Sequence, residues 1–140
     1  MPFIFNLRPF PKPGLFALNA AGLVAADLVT VNAGGAQVNE VDYQVVNGAI
    51  VPLAVNLGPA AQQVYLVLYG TGISGRSSLA NVSVSIGSLS LPVAYAGTTM
   101  EAGLDQINVL IPSSLAGSGN TTISVTVDGV VSNTAHITIM

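Results

Sequence analysis

The chain has 140 residues, of which 51% are hydrophobic, 6% are charged and none is cysteine, and its formal net charge is −3. This length is typical of a single domain of roughly 100–200 residues. Charged residues usually make up about 25% of a soluble domain, and this chain has far fewer. Little charge is left to keep copies of the chain apart, so we expect them to associate. Three basic residues are too few to bind a nucleic acid, and the lack of cysteine excludes disulfides, a thiol nucleophile and cysteine-ligated metals.

The first predicted element is an extended N-terminal arm, residues 1–13, which holds three of the four Phe and four of the eight Pro. Proline favours an extended, polyproline-like backbone. Burial of each large apolar side chain stabilises by about 1.5–3 kcal/mol, so we expect the arm to dock. Its predicted self-association contacts are Phe3, Ile4, Phe5, Leu7 and Phe10. The sequence leaves open whether the arm docks on its own domain or on a second copy. We expect the second, because residues 9–13 are a natural spacer.

The rest of the chain, residues 14–140, predicts a β-sandwich with a hairpin-rich part at 14–60 and a second part at 61–140. Apolar and polar residues alternate with period two, and little of the chain shows helical spacing. Strands are predicted near 24–31, 64–69 and 106–111, and a short helical turn at 112–116. Residues 64–69 are all apolar, as expected of a central strand covered on both faces. The predicted fold class is therefore all-β.

Three two-residue sequences predict hairpin turns, namely Asn47-Gly48, Gly87-Ser88 and Asp128-Gly129. The expected pairs are Val45 with Ile50 and Val41 with Ala54 at the first turn; Ile86 with Leu89, Val84 with Leu91 and Val82 with Val93 at the second; and Val127 with Val131 and Ile123 with Ala135 at the third. The third set requires one extra residue, in a three-residue loop or a bulge, because a strict two-residue turn would mix apolar and polar faces. Pro52 predicts that its strand lies at an edge.

The uncharged stretch 43–75 does not predict a membrane span, because Pro, Gly, Asn and Gln interrupt it. No targeting segment is predicted either. Residues 1–5 lack a basic region, and Asn6 and Arg8 interrupt the apolar run.

Residues 70–75 (GTGISG) match the G-x-G-x-x-G pattern of dinucleotide-binding folds and follow an apolar strand. In those folds the last glycine opens a helix whose N-terminus holds the pyrophosphate, and an acidic residue about 20 positions on binds the ribose. Only six residues separate Gly75 from the strand predicted at Val82, and no Asp or Glu lies between Asp42 and Glu101. We therefore predict a turn between strands and no nucleotide or other cofactor.

Two arrangements of polar residues resemble catalytic sites. Glu40 and Asp42 are two apart in a strand, which gives the roughly 7 Å separation of a glycosidase carboxylate pair. Alternation instead predicts that they share a solvated face with Gln44, while Val41, Tyr43 and Val45 face the core.

The second arrangement is Ser132, His136 and Asp128, which include the three residue types of a hydrolytic triad. Ser132 and His136 fall on a polar face with Thr134 and Thr138, and Asp128 falls in a turn. We predict an exposed histidine, no catalytic or metal-binding residue, and no enzyme.

An ordered series of motifs resembles the carboxy-terminal domain shared by large secreted proteins of acidobacteria. The motifs are 13–17 (PGLFA), 63–73 (QVYLVLYGTGI), 76–82 (RSSLANV), 95–97 (YAG), 103–109 (GLDQINV), 111–117 (IPSSLAG), 127–129 (VDG) and 132–134 (SNT). The resemblance covers about residues 13–139. It implies an extracellular or cell-surface, immunoglobulin-like β-sandwich with no assigned activity and no functional residues to carry over.

The expected function is a non-catalytic extracellular structural module that associates with copies of itself into a filament or surface layer. The arm of one subunit would complete a sheet edge of the next, because extended segments add readily to free edges. The alternative is an adhesin-type binding module for glycan or surface ligands, carried on a larger secreted protein.

Overall fold

A computed structural model describes residues 12–140. The predictions that concern residues 1–11, including the contacts Phe3, Ile4, Phe5, Leu7 and Phe10, lie outside the described residues.

The described chain is all-β, as the sequence predicts, and every ladder between its strands is antiparallel. The strands are β1 Gly14–Leu15, β2 Ala26–Val31, β3 Gln37–Val41, β4 Tyr43–Val46, β5 Ala49–Pro52, β6 Gln63–Thr71, β7 Val82–Ile86, β8 Leu89–Pro92, β9 Tyr95–Thr98, β10 Asp105–Ile111, β11 Gly119–Val127, β12 Val130–Val131 and β13 Ala135–Ile139. The helical turn predicted at 112–116 is a 3-10 turn, Ser113–Leu115, and a second one spans Leu79–Asn81. No helix within residues 12–140 is long and apolar enough to cross a membrane.

The larger sheet has six strands in the order β3-β2-β6-β10-β9, and β1 pairs with β6 beyond the end of β2. The prediction of a central strand at 64–69 is confirmed, because β6 has neighbours on both sides. Val64, Leu66 and Leu68 are buried on one face of β6. On the other face Val67 is buried, and Tyr65 and Tyr69 are half-buried.

The smaller sheet has five strands, in the order β12-β11-β7-β8, with β13 also paired to β11. Two of its strands, β7 and β13, alternate strictly between buried and half-buried residues. Val84, Ile123 and Ile137 from this sheet belong to the same hydrophobic core as Leu66 and Ile107 from the larger sheet. The two sheets are therefore held together by a single shared core.

The first two hairpins are confirmed where their ladders extend. Val45 pairs with Ile50 across Asn47-Gly48. Both turn residues have positive φ, 51° and 79°, as a type I′ turn requires. The edge position of Pro52 is confirmed, because β5 pairs only with β4 within the described chain.

Across Gly87-Ser88, Ile86 pairs with Leu89 and Val84 with Leu91. The ladder ends with Ser83 opposite Pro92, so the expected pair of Val82 with Val93 lies beyond it.

The third hairpin differs from the prediction. Asp128-Gly129 is a strict two-residue turn, so Val127 pairs with Val130 and not with Val131. The extra residue lies later, at 132–134, where Ser132 Oγ accepts a 2.9 Å hydrogen bond from the Val125 N–H. This bulge shifts the register by one residue, and the expected pair of Ile123 with Ala135 is formed.

Candidate functional site

The G-x-G-x-x-G segment is a turn, as predicted, and Asp105 holds it. The Asp105 carboxylate is buried and accepts 2.8 Å hydrogen bonds from the backbone N–H groups of Ile73 and Ser74. Gly72 has a φ of +71°, and a Cβ atom there would lie 2.7 Å from the Lys12 carbonyl oxygen. Only the 3-10 turn Leu79–Asn81 lies between Gly75 and β7. Gly72 therefore serves close packing of the backbone. The absence of nucleotide binding stays a prediction.

The residues of the imagined triad are not brought together. Ser132 is buried and donates its hydroxyl hydrogen to the Asn133 carbonyl. His136 is half-buried opposite Thr122. Asp128 lies six positions after Thr122 along the chain, a distance of about 20 Å in an extended strand.

Asp128 instead binds Ser77, which lies in the connection from β6 to β7. Its carboxylate accepts hydrogen bonds from the Ser77 N–H at 2.9 Å and from the Ser77 hydroxyl at 2.6 Å. Among residues 12–140, no three His, Asp or Glu side chains are grouped closely enough to hold a metal ion.

The expected faces of the segment 40–45 are wrong. Asp42, predicted to be solvated, is 1% exposed, whereas Val45, predicted to face the core, is 63% exposed. Val41 is also exposed, Tyr43 is half-buried, and Glu40 is exposed as predicted.

The cause is a bend at Asp42. Its carbonyl accepts a hydrogen bond from the Leu53 N–H at 3.0 Å, so the chain leaves the larger sheet there. β4 then pairs with β5 in a separate two-stranded ladder, while Val41 stays paired with Asp27 and not with Ala54.

Burial removes the Asp42 carboxyl group from water and raises its pKa. Neither carboxylate oxygen has a hydrogen-bond partner within the described chain. The pKa of Asp42 is raised from 3.8 to about 7, chiefly because burial removes the charged form from water; the nearby backbone of Asp42 itself lowers it somewhat, and the negative charge of Asp27 adds to the rise.

A groove of about 510 Å³ lies on the outer face of the larger sheet, beside β3. Its lining residues are Asp27, Val29, Asn39, Glu40, Val41, Val67, Tyr69 and Gln106. The Tyr69 hydroxyl donates a 2.8 Å hydrogen bond to the Asp27 carboxylate. Burial is the main cause that raises the pKa of Tyr69 to about 12, and this hydrogen bond and the negative charge of Asp27 add to the rise. The groove therefore combines an acidic patch with apolar walls.

β3 borders this groove and is the edge of the larger sheet. All five of its residues are exposed, and Val38 is 52% exposed. In the hairpin β4–β5 and just after it, Val45, Val46 and Leu53 are exposed as well. Neither β4 nor β5 contains a charged residue. Alternation predicts that Val41 and Val45 face the core, so the sequence pattern does not indicate this surface.

No protein-family model matches the chain, and no curated protein or solved structure shows a significant match to it.

Proposed function

We propose that this protein is a non-catalytic, extracellular structural module of the immunoglobulin-like β-sandwich class that self-associates by strand addition. The observation that carries the proposal is the exposed, apolar segment of β3 and β4, described above. Val38, Val41 and Val45 are large apolar side chains in strands, and each is more than a third exposed. Exposed apolar side chains along two consecutive strands are candidates for an interaction surface.

The composition supports contact with further copies of the chain. A surface with only nine charged residues in 140 provides little electrostatic repulsion between subunits. The arm supplies the added segment: its apolar residues Phe3, Ile4, Phe5, Leu7 and Phe10 add as a strand to a neighbouring sheet. Main-chain hydrogen bonds then give affinity, and side chains give specificity.

A head-to-tail contact of this kind propagates. The arm and the edge that receives it are different surfaces of one subunit, so each added subunit presents a new free edge. Such heterologous contacts form a filament unless the rotation closes a ring. The location outside the cell rests on the resemblance to the secreted proteins of acidobacteria.

An adhesin-type module is the second candidate, and the groove beside β3 favours it. The groove offers carboxylate, amide and phenol groups next to apolar walls, which is the usual make-up of a small-ligand site. Asp27, Asn39 and Gln106 would then contact the hydroxyl groups of a glycan.

Electron microscopy of the purified full chain at neutral pH tests the proposal. We expect filaments or lattices for the full chain, and folded, soluble subunits after deletion of residues 1–11. Normal assembly of the truncated chain would show that the arm is not the connector. Discrete monomers of the full chain that bind on a glycan array would support the adhesin instead.

A further inference from the structure

We infer that the edge that receives the arm is β3, Gln37–Val41, and that the added strand is residues 3–8 of a second copy. The inference rests on the proposed function and names the surface on which self-association occurs. Among the exposed backbone edges of the described chain, β3 is the least protected.

The opposite edge of the larger sheet, β9, is blocked by side chains. The Thr99 N–H bonds to the Leu104 carbonyl of the adjoining loop, so by alternation Ala96 and Thr98 direct their backbone groups away from β10. Arg76 Nε donates to the Ala96 carbonyl at 2.8 Å, and the Tyr95 hydroxyl donates to the Thr98 carbonyl at 2.7 Å. Both outward acceptors are therefore occupied.

The smaller sheet is protected in two other ways. Along β8 the outward residues are Ser90 and Pro92, and Pro92 has no N–H to donate. Along β13 the Val24 N–H binds the His136 carbonyl at 2.9 Å, and the Val55 N–H binds the Thr138 carbonyl at 2.8 Å. β12, the remaining edge, is two residues long.

The short strands β1 and β5 are capped as well. The Asn133 side chain binds both the N–H and the carbonyl of Leu15 in β1, at 2.8 and 3.1 Å. In β5 the Ile50 carbonyl accepts a 3.0 Å bond from Asn19 Nδ2, and Pro52 lacks an N–H.

β3 carries none of these protections in the described chain. The Asn32 N–H bonds to the Ala36 carbonyl, so by alternation Gln37, Asn39 and Val41 direct their N–H and carbonyl groups away from β2. No hydrogen bond within residues 12–140 reaches those outward groups. β4 offers only two outward residues, Tyr43 and Val45, in an isolated ladder. β3 is thus the longest open edge that joins a large sheet.

Length and charge match residues 3–8 to this edge. They are the longest proline-free run of the arm, and their length of six residues is close to the five residues of β3. Arg8 is the only charged residue among residues 1–11, and the groove beside β3 contains the carboxylates of Asp27 and Glu40. An added strand would place alternate side chains along this groove, so Arg8 has acidic partners within reach.

Strand direction favours a second copy over the same subunit. The Lys12 carbonyl lies against Gly72, just past the end of β6, and Val41 is the end of β3 nearer to that point. An arm folded back on its own β3 would have residue 8 nearest Val41 and would run parallel to β3. Parallel pairing is slightly less stable per residue, and every ladder in the described chain is antiparallel. The arm of a second copy is free to add antiparallel.

Sedimentation and electron microscopy of three full-length variants test the inference. Asn39→Pro removes an outward N–H and leaves the bonds between β2 and β3 in place. We expect it to raise the concentration needed for assembly at least tenfold, which corresponds to the loss of one or two hydrogen bonds. Asn39→Ala keeps the N–H, so it should raise this concentration less than Asn39→Pro does. Ser90→Pro makes the same change on β8, so it should assemble like the wild type. Circular dichroism and thermal melting check that each variant is folded.

The outcomes separate this inference from the proposed function. If Asn39→Pro assembles at the wild-type concentration, β3 is not the acceptor, although self-association stands. If the wild-type chain stays monomeric at all concentrations, the proposed function and this inference fail together. If Asn39→Pro does not fold, amide exchange of the wild-type chain decides. We expect added protection of residues 37–41 in the assembled form over the dilute form, and equal exchange would exclude this edge.

Discussion

The carboxylate of Asp105, at the start of β10, accepts a 2.8 Å hydrogen bond from the backbone N–H of Ile73, which is 32 residues earlier in the chain. The same oxygen accepts the Ser74 N–H at 2.8 Å. Ile73 is fully buried in the core, so this carboxylate fixes both the turn after β6 and the side chain that the turn inserts. A charged acceptor for two backbone donors stabilises more than a neutral one.

Asp105→Ala should therefore lower the free energy of unfolding by about 2–4 kcal/mol, because it leaves two N–H groups without an acceptor in a buried site. Asp105→Asn keeps one acceptor oxygen and should recover a large part of the loss. Denaturant titration of both variants measures the difference. Equal losses for the two substitutions would show that charge, and not the acceptor, is what stabilises the turn.

Two glycines of the same turn should respond oppositely to alanine. Gly72→Ala places a Cβ atom against the Lys12 carbonyl at a positive φ, so we expect a loss of more than about 1 kcal/mol. Gly75 has no neighbour within 4 Å of a Cβ atom, and its φ lies outside the left-handed region. Gly75→Ala should leave stability unchanged or raise it by up to about 1 kcal/mol. Thermal melting compares the two, and similar losses would contradict the packing role assigned to Gly72.

Sequence periodicity predicts much of this fold, because most strands alternate against one core. The pairs of Val84 with Leu91 and of Val45 with Ile50 follow directly from the turn residues between them. The pairing next to Asp128-Gly129 differs from the prediction, because the pattern shows that an extra residue is needed but not where it lies. Ser132 places it, since its hydroxyl replaces a backbone partner for Val125.

The candidate site was harder to predict, because alternation says which residues share a face and not which face is buried. A strand running straight through Glu40, Asp42 and Gln44 would keep them solvated. The bond from the Leu53 N–H to the Asp42 carbonyl turns the chain, and beyond it β4 joins a different ladder. Burial of Asp42 and exposure of Val45 both follow from that tertiary contact.

The Tyr69 hydroxyl should lose its proton only in strongly alkaline solution, near pH 12. Burial and the bond to Asp27 raise its pKa to about 12, so its phenolate forms late. The folded protein favours the neutral phenol, because the pKa of Tyr69 is higher in the folded state than in the unfolded chain. The stability that this preference contributes is present below pH 10 and is lost as the pH rises towards 12. Ultraviolet titration of the wild type should show a tyrosine step near pH 12. Tyr69→Phe should remove that step, and Asp27→Asn should move it to lower pH.

Asp42 should make the protein less stable as the pH rises from about 4 to about 7. The carboxyl is protonated in the folded state up to a pKa of about 7, whereas the unfolded chain loses this proton near 3.8. The folded state therefore binds more protons in this interval, and the free energy of unfolding falls with pH. The shift of about three pH units corresponds to at most roughly 4 kcal/mol.

Asp42→Asn isolates this effect, since the amide is uncharged at every pH and is similar in size. We expect the variant to gain stability relative to the wild type between pH 4 and pH 7 and to keep a constant advantage above pH 8. Glu40→Gln is the matched control, because Glu40 is exposed two residues away and its substitution should change stability by less than about 0.5 kcal/mol. Urea titrations at several pH values measure both differences. If the difference between Asp42→Asn and the wild type does not change with pH, the Asp42 carboxyl is not buried in its neutral form, and the bend at this residue would have to expose it to water.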